Sequence, residues 1–237
     1  MSALLKYFDR ILIDLLSPQC LVCMNFCDRS LCETCGNFER YVGRCQICGT
    51  ENGSVSGICQ ACRTHQQGFS GVQSIFRFNS AAQKILHRIK YGRDPIWLKL
   101  FESELNLDQH LLIQGKPWII AVPMHWTRSL KRGFNQSELL AQMLSRKYGM
   151  ILGKKVLRKK RRTPPQSRLS HFDRLINLRN AFTANLFQEI PETVILVDDV
   201  TTTGSTLQAC ARALKKAGVE HVVGWTLFKS ELRAQNP

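Results

Sequence analysis

Leu4, Leu5, Phe8, Ile11, Leu12, Leu15 and Leu16 recur at three- and four-residue intervals, a spacing that gathers apolar side chains on one stripe of a helix. Ser17-Pro18 ends that helix, because the residue before a proline is driven out of helical backbone. Such a stripe docks on its own domain, on a partner or on a membrane surface. Residues 20–62 show neither the helical nor the strand period and are rich in Cys and Gly. From about Phe69 onward, short apolar runs alternate with helical patterns, as a parallel α/β sheet requires. The clearest runs predict buried strands over 118–122 and 194–197. A helix over Ser205–Lys216 sets Leu207, Cys210, Ala211 and Leu214 on its apolar face and stops before Gly218. The chain therefore divides into an amphipathic helix (1–18), a cysteine-rich module (19–68) and an α/β domain (69–237).

A length of 237 residues with 44% hydrophobic content suits one full α/β domain plus a smaller module. Thirty-three Lys and Arg against 18 Asp and Glu give a net charge of +15, a field that attracts nucleic acid or phosphate esters. Lys6, Asp9, Arg10 and Asp14 interrupt the first apolar run, which argues against a cleavable leader or a membrane span. The expectation is a soluble, cytoplasmic protein, in which ten cysteines serve metal binding rather than disulfides.

Eight of the cysteines form four knuckles: CLVC (Cys20, Cys23), CETC (Cys32, Cys35), CQIC (Cys45, Cys48) and CQAC (Cys59, Cys62). A C-x2-C pair lets two thiolates grip one tetrahedral zinc, and two pairs close a structural site with no open coordination position. The simplest pairing is sequential, with two zincs; crossed pairing or one occupied site are the alternatives. A redox role would need a thioredoxin-like setting that this segment lacks. Cys27 is a spare thiol or a substitute ligand, and Cys210 belongs to the core. A closed site is a staple for a small fold and a rigid surface for a partner or DNA.

The segment ILVDDVTTTGST raises a different question. A buried strand over 194–197 has no packing use for Asp198 and Asp199, since an unpaired buried carboxylate is costly, so the pair is expected at the exposed end of the strand. Thr201, Thr202, Thr203 and Gly204 then form a turn into a helix beginning with Ser205 and Thr206. Free N–H groups, hydroxyls and a glycine at a helix start make a phosphate cradle. The two acids suit a sugar diol or a Mg2+ ion held through water. A second anion site is expected over 119–140, where the loop bearing Arg128, Lys131 and Arg132 leads to a helix opening with Asn135-x-x-Glu138.

Residues 154–179 carry ten Lys or Arg against Asp173 alone, and with Pro164 and Pro165 they are expected to form a mobile loop between strands. Its Arg158, Lys159, Lys160, Arg161 and Arg162 could track a nucleic-acid backbone. His171 and Phe172 are sparse platforms for stacking, so phosphate contacts with little sequence preference are expected.

VDDVTTTGST resembles the phosphoribosyl pyrophosphate (PRPP) motif of type I phosphoribosyltransferases. The resemblance implies that Asp198 and Asp199 act on the ribose as the catalytic acids, and that residues 201–206 wrap the 5′-phosphate. It further implies that Arg162, Gln166 and Arg174 lie on a loop closing over pyrophosphate. Together with RGFNQSELLA, TPPQSRLSHFDRLINLRNAF and the cysteine knuckles, the motif makes nearly the whole chain, residues 20–228, similar to the ComF (GntX-like) competence family. That resemblance implies a zinc-ribbon module before a phosphoribosyltransferase-like parallel-sheet domain, acting in uptake or processing of transforming single-stranded DNA. The implied ligands are structural zinc (one or two) and PRPP with Mg2+. Other competence proteins, such as a DNA-translocating helicase, are implied partners that could hold the chain at the inner face of the membrane. The alternative is an active phosphoribosyltransferase serving nucleotide metabolism with an unidentified acceptor.

Overall fold

The computed structural model describes residues 19–28, 30–42, 45–50, 57–64, 68–92, 95–108, 117–125, 127, 133–160, 181–185 and 190–230. The helix expected over 1–18 lies outside them. In chain order the elements are short helices α1 (Glu33–Gly36) and α2 (Gln60–Thr64), strand β1 (Gly71–Arg77), helix α3 (Ser80–Tyr91) and a 3-10 helix (Pro95–Phe101). Strand β2 (Trp118–Ala121), helix α4 (Gln136–Tyr148), strands β3 (Leu157–Lys159), β4 (Phe182–Ala184) and β5 (Thr193–Thr201), helix α5 (Ser205–Lys216) and strand β6 (His221–Lys229) follow.

β1, β6, β5 and β2 form a parallel sheet in that order, and β3 and β4 form a separate antiparallel pair. The apolar run of β5 is unbroken because both faces of the strand are covered. Ile195 and Val197 join a core with Ile85 and Ile89 of α3, Leu140 and Leu144 of α4, and Phe101. Val194 and Leu196 join a second core with Leu207, Cys210 and Leu214 of α5 and Phe182 of β4. The alternation follows from successive side chains pointing to opposite faces.

The cysteine-rich module straddles the β1 edge of this sheet. Cys20, Val22 and Cys35 belong to the first core, whereas Ile47 packs against the second. Between these footholds Arg40 bridges antiparallel to Phe76. The Tyr41 N–H donates to the Ile75 carbonyl, and the Arg77 N–H to the Glu39 carbonyl, each at 2.9 Å. Phe38 seats its ring among Phe76, Phe101 and Phe228, with centroids 5.1 to 5.9 Å away. The sequence pattern changes near residue 68, but the hydrophobic core does not stop there.

Two sequence expectations need correction. β5 extends to Thr201, four residues past the apolar run, so Asp198 and Asp199 lie within a strand and are half-buried rather than beyond its exposed end. Ladder pairing with β6 continues to Thr201 opposite Lys229, which keeps the backbone extended. The segment read as a loop from residue 154 instead starts as a turn and the strand β3, because Leu157 and Phe182 bury their side chains in the second core.

Candidate functional site: two cysteine clusters and a paired-acid cleft

The sulfurs of Cys20, Cys23, Cys32 and Cys35 lie within 4.8 Å of one another, as do those of Cys45, Cys48, Cys59 and Cys62. The grouping is sequential, as expected. Cys27 stands in neither group and is partly buried against the first core. Burial raises the Cys20 and Cys45 thiols, but backbone N–H groups from the knuckles outweigh it and bring both down to about 6. Burial and neighbouring sulfurs push Cys35 and Cys62 up instead. Four sulfurs so close resist ionising together unless a cation sits among them. Each donor set fits tetrahedral zinc, which would cross-link two knuckles without offering a reactive position.

At the carboxyl ends of β5 and β2, three elements converge on the acid pair. Asp198 Oδ1 accepts from the Ser137 hydroxyl at 2.8 Å and from the Asp199 N–H at 2.9 Å. Asp199 Oδ1 accepts from the Val200 N–H at 2.9 Å, and its Oδ2 pairs with Lys90 Nζ of α3 at 2.8 Å. Burial first, then the charge of Asp199, pushes the Asp198 carboxyl up to about 7, against the Ser137 hydrogen bond and the pull of Lys90. Burial also raises Asp199, but the Lys90 ammonium outweighs it and holds the group below its ordinary value. One acid is thus ready to ionise on meeting a cation while its neighbour is already charged.

α4 is anchored beside this pair by Asn135, whose side chain accepts from the Ser137 N–H at 3.2 Å and donates to the Val122 carbonyl at 3.0 Å. Glu138 takes part through a 3.4 Å hydrogen bond from the Asn135 side chain, a variant of the expected capping box. This cap ties the start of α4 to the end of β2 and so fixes Ser137.

Past β5, Thr202, Thr203 and Gly204 turn the chain into α5. Gly204 adopts φ of +75°, a conformation open to glycine without strain. As the N-cap it brings no side chain of its own to the first turn; the Ser205 N–H is met by the Thr203 hydroxyl at 3.4 Å, and the positive end of the helix dipole still favours an anion there. The hydroxyls of Thr203 and Ser205 hydrogen-bond each other across the turn. Thr201 and Ser205 are buried, whereas Thr202, Thr203 and Thr206 are half-exposed.

A cavity of about 590 Å³ opens between β2, β3 and the Glu138 and Gln142 side of α4. Ile120, Pro123, Met124 and Leu157 line it with apolar surface, and Lys155 and Arg158 with charge. Lys155 holds a left-handed backbone, φ of +61°, unusual for a non-glycine residue. Of the basic residues nominated for nucleic acid, Arg158 and Lys160 are exposed and Lys159 lies over the Phe182 ring at 5.3 Å. Arg128, Lys131, Arg132, Arg161, Arg162, Gln166 and Arg174 lie outside the described residues.

A family model for the phosphoribosyl transferase domain matches residues 131–233. The chain is 41% identical to competence protein F of Haemophilus influenzae over 114 residues, 47% of this chain and 50% of that protein. It is 27% identical to competence protein ComFC of Streptococcus pneumoniae over 157 residues, 66% of this chain and 67% of that one. With DNA utilization protein YhgH of Salmonella typhi it shares 32% identity over 208 residues, 84% of this chain and 90% of the relative. The chain belongs to the ComF family. Within this ComF chain, no helix among the described residues is long and apolar enough to cross a membrane.

Three site residues escaped sequence reasoning: Lys90, Ser137 and Lys229. Lys229, at the end of β6, donates to the carbonyl of Thr202 at 2.9 Å and to that of Cys48 at 3.3 Å. Its place after the apolar run of β6 reads as an ordinary strand end, and Lys90 as the polar tail of a helix. Only the topology reveals which distant segment each one reaches.

Proposed function

We propose that the chain is a ComF-type competence protein that handles single-stranded DNA and binds PRPP with Mg2+ at the acid pair. The observation that carries the ligand reading is the convergence of Asp198, Asp199 and Ser137 with the start of α5. Carboxylates there would accept from the ribose 2′- and 3′-hydroxyls, and the Thr202, Thr203 and Thr206 hydroxyls with first-turn N–H groups would hold the 5′-phosphate. Mg2+, when bound with PRPP, would offset the charge of its pyrophosphate. Lys90 already pairs with Asp199, so a cation held by that carboxylate would compete with the ammonium.

DNA handling is supported by the names of the relatives, competence protein and DNA utilization protein, and by the basic turn leading into β3. Lys154, Lys155, Arg158 and Lys160 are all exposed, and such a row follows a phosphate backbone rather than a base sequence. If these four groups neutralise about four phosphates, log affinity should fall with log salt at a slope of about −3 for single strands. Replacing all four with Gln should flatten the slope and weaken different sequences alike, as fluorescence anisotropy would record. An unchanged slope would move DNA binding to other surfaces, such as the module's Arg40 and Arg63.

The alternative, an active transferase, is favoured by the cavity lined by Pro123, Met124, Glu138 and Arg158, which offers an acceptor room one residue along α4 from Ser137. In that reaction C1′ loses pyrophosphate through an oxocarbenium-like state and bonds to the acceptor, with the acids holding the ribose. Release of pyrophosphate from PRPP only when free bases are supplied would select this reading.

A further inference from the structure

Lys229 is only 4% exposed, yet it carries an ammonium between two parts of the molecule that the sequence keeps far apart. On one side is the Thr202 carbonyl in the phosphate turn, and on the other the Cys48 carbonyl in the second cysteine cluster. Neither carbonyl lies in a helix or a strand, so neither has a regular ladder partner, and a charge-assisted bond to each is a strong local restraint.

The surrounding packing leaves little slack. Gly49, next to Cys48, has φ of +66°, and a Cβ there would stand 2.9 Å from the Val72 carbonyl oxygen. A Cβ on Gly71 would stand 3.0 Å from the Gln46 carbonyl oxygen. The knuckle therefore rests directly on the start of β1. Phe69, just before that strand, lies under the turn, 3.5 Å from where a Gly204 Cβ would be. Knuckle, strand start and phosphate turn make one packed body, and Lys229 ties its two ends.

The peptide group gives this tie a direction. In a planar trans peptide the carbonyl of one residue and the N–H of the next point opposite ways. By holding the Thr202 oxygen, Lys229 aims the Thr203 N–H away from itself. The Cys48 carbonyl is likewise oriented by the same backbone that aims the Cys48 sulfur into its cluster.

We propose that Lys229 is a positioning residue through which the metal state of the Cys45, Cys48, Cys59 and Cys62 cluster sets the shape of the phosphate turn. The first cluster has no such part, since Cys20 and Cys35 pack into the core of the opposite face. The ligand of the turn is the phosphoribosyl group of the proposed function, on which this inference rests, and coupling between the two sites is reciprocal. A phosphorylated sugar should therefore slow zinc loss from the second cluster.

The test uses the full chain loaded with zinc, followed by hydrogen exchange and by chelator-driven zinc release. Lys229→Met should keep two zincs yet speed exchange in residues 45–50 and 201–206 by several fold, leaving 20–26 unchanged. Ribose 5-phosphate should slow release of one of the two zincs in the wild type and of neither in Lys229→Met. Unchanged exchange over 201–206 in Lys229→Met would overturn the inference. Should that variant not fold, Cys59→Ser must speed exchange over 201–206 where Cys32→Ser does not, and equal behaviour would overturn it as well. Coupled exchange without any effect of ribose 5-phosphate would uphold the tie and remove the phosphoribosyl reading alone.

Discussion

The two cysteine clusters have the same donors and nearly the same spacing, but they are held to the domain by different forces. The first is embedded in apolar packing, with Cys20 and Cys35 in the core under α3 and α4 and Phe38 among three phenylalanines. The second rests on close backbone contact and on the Lys229 bridge to the phosphate turn. Hydrophobic contact is broad and undirected, so the first cluster anchors; hydrogen bonds are directional, so the second can transmit orientation. One kind of zinc chemistry can therefore serve as a staple on one face of a sheet and as a support for a binding turn on the other.

The largest expected effect is the metal itself. Freshly purified protein should hold two zincs, and Cys20→Ser or Cys59→Ser should each bring the content to one by elemental analysis. Either change should loosen its own side of the module, because binding energy at such sites is folding energy. Protein without zinc would end the comparison. Next in size is Phe38→Ala, which should cost about 2 kcal/mol in denaturant unfolding, less than truncating a fully buried aromatic, because Phe38 is only partly buried against the first core. It should leave zinc release from the second cluster unchanged. A similar change in both clusters would show that the module moves as one rigid piece.

A smaller effect concerns the acid pair of β5, which Ser137 of α4 and Lys90 of α3 meet. Asp198 is raised to about 7, so between roughly pH 4 and 7 the folded chain keeps a proton that the unfolded chain has lost. Stability should fall as pH rises across that window in metal-free buffer. Asp198→Asn should flatten this slope in thermal unfolding, and a slope that persists would assign it to another group.

How much of this was legible beforehand depends on the range of each interaction. The helix Ser205–Lys216 and the sequential grouping of the knuckles follow from local spacing, and both are as expected. The length of β5 was not legible, because pairing with β6, some 28 residues downstream in register, holds Asp198 to Thr201 in the strand despite their polarity. Lys90, Ser137 and Lys229 were invisible for the same reason. Each is ordinary in its own element and functional only where distant elements meet. β3 hid inside a run of charge because only Leu157 faces the core while Arg158 is exposed.

The central claim is that the paired acids and the threonine-glycine turn form one phosphoribosyl site, and isothermal titration of PRPP with Mg2+ tests it most directly. Wild-type protein should bind one equivalent, and Asp198→Asn with Asp199→Asn should lose binding by at least about a hundredfold, or roughly 2.7 kcal/mol, while keeping both zincs. Equal affinity for the wild type and the double variant, or no binding to the wild type, would contradict it.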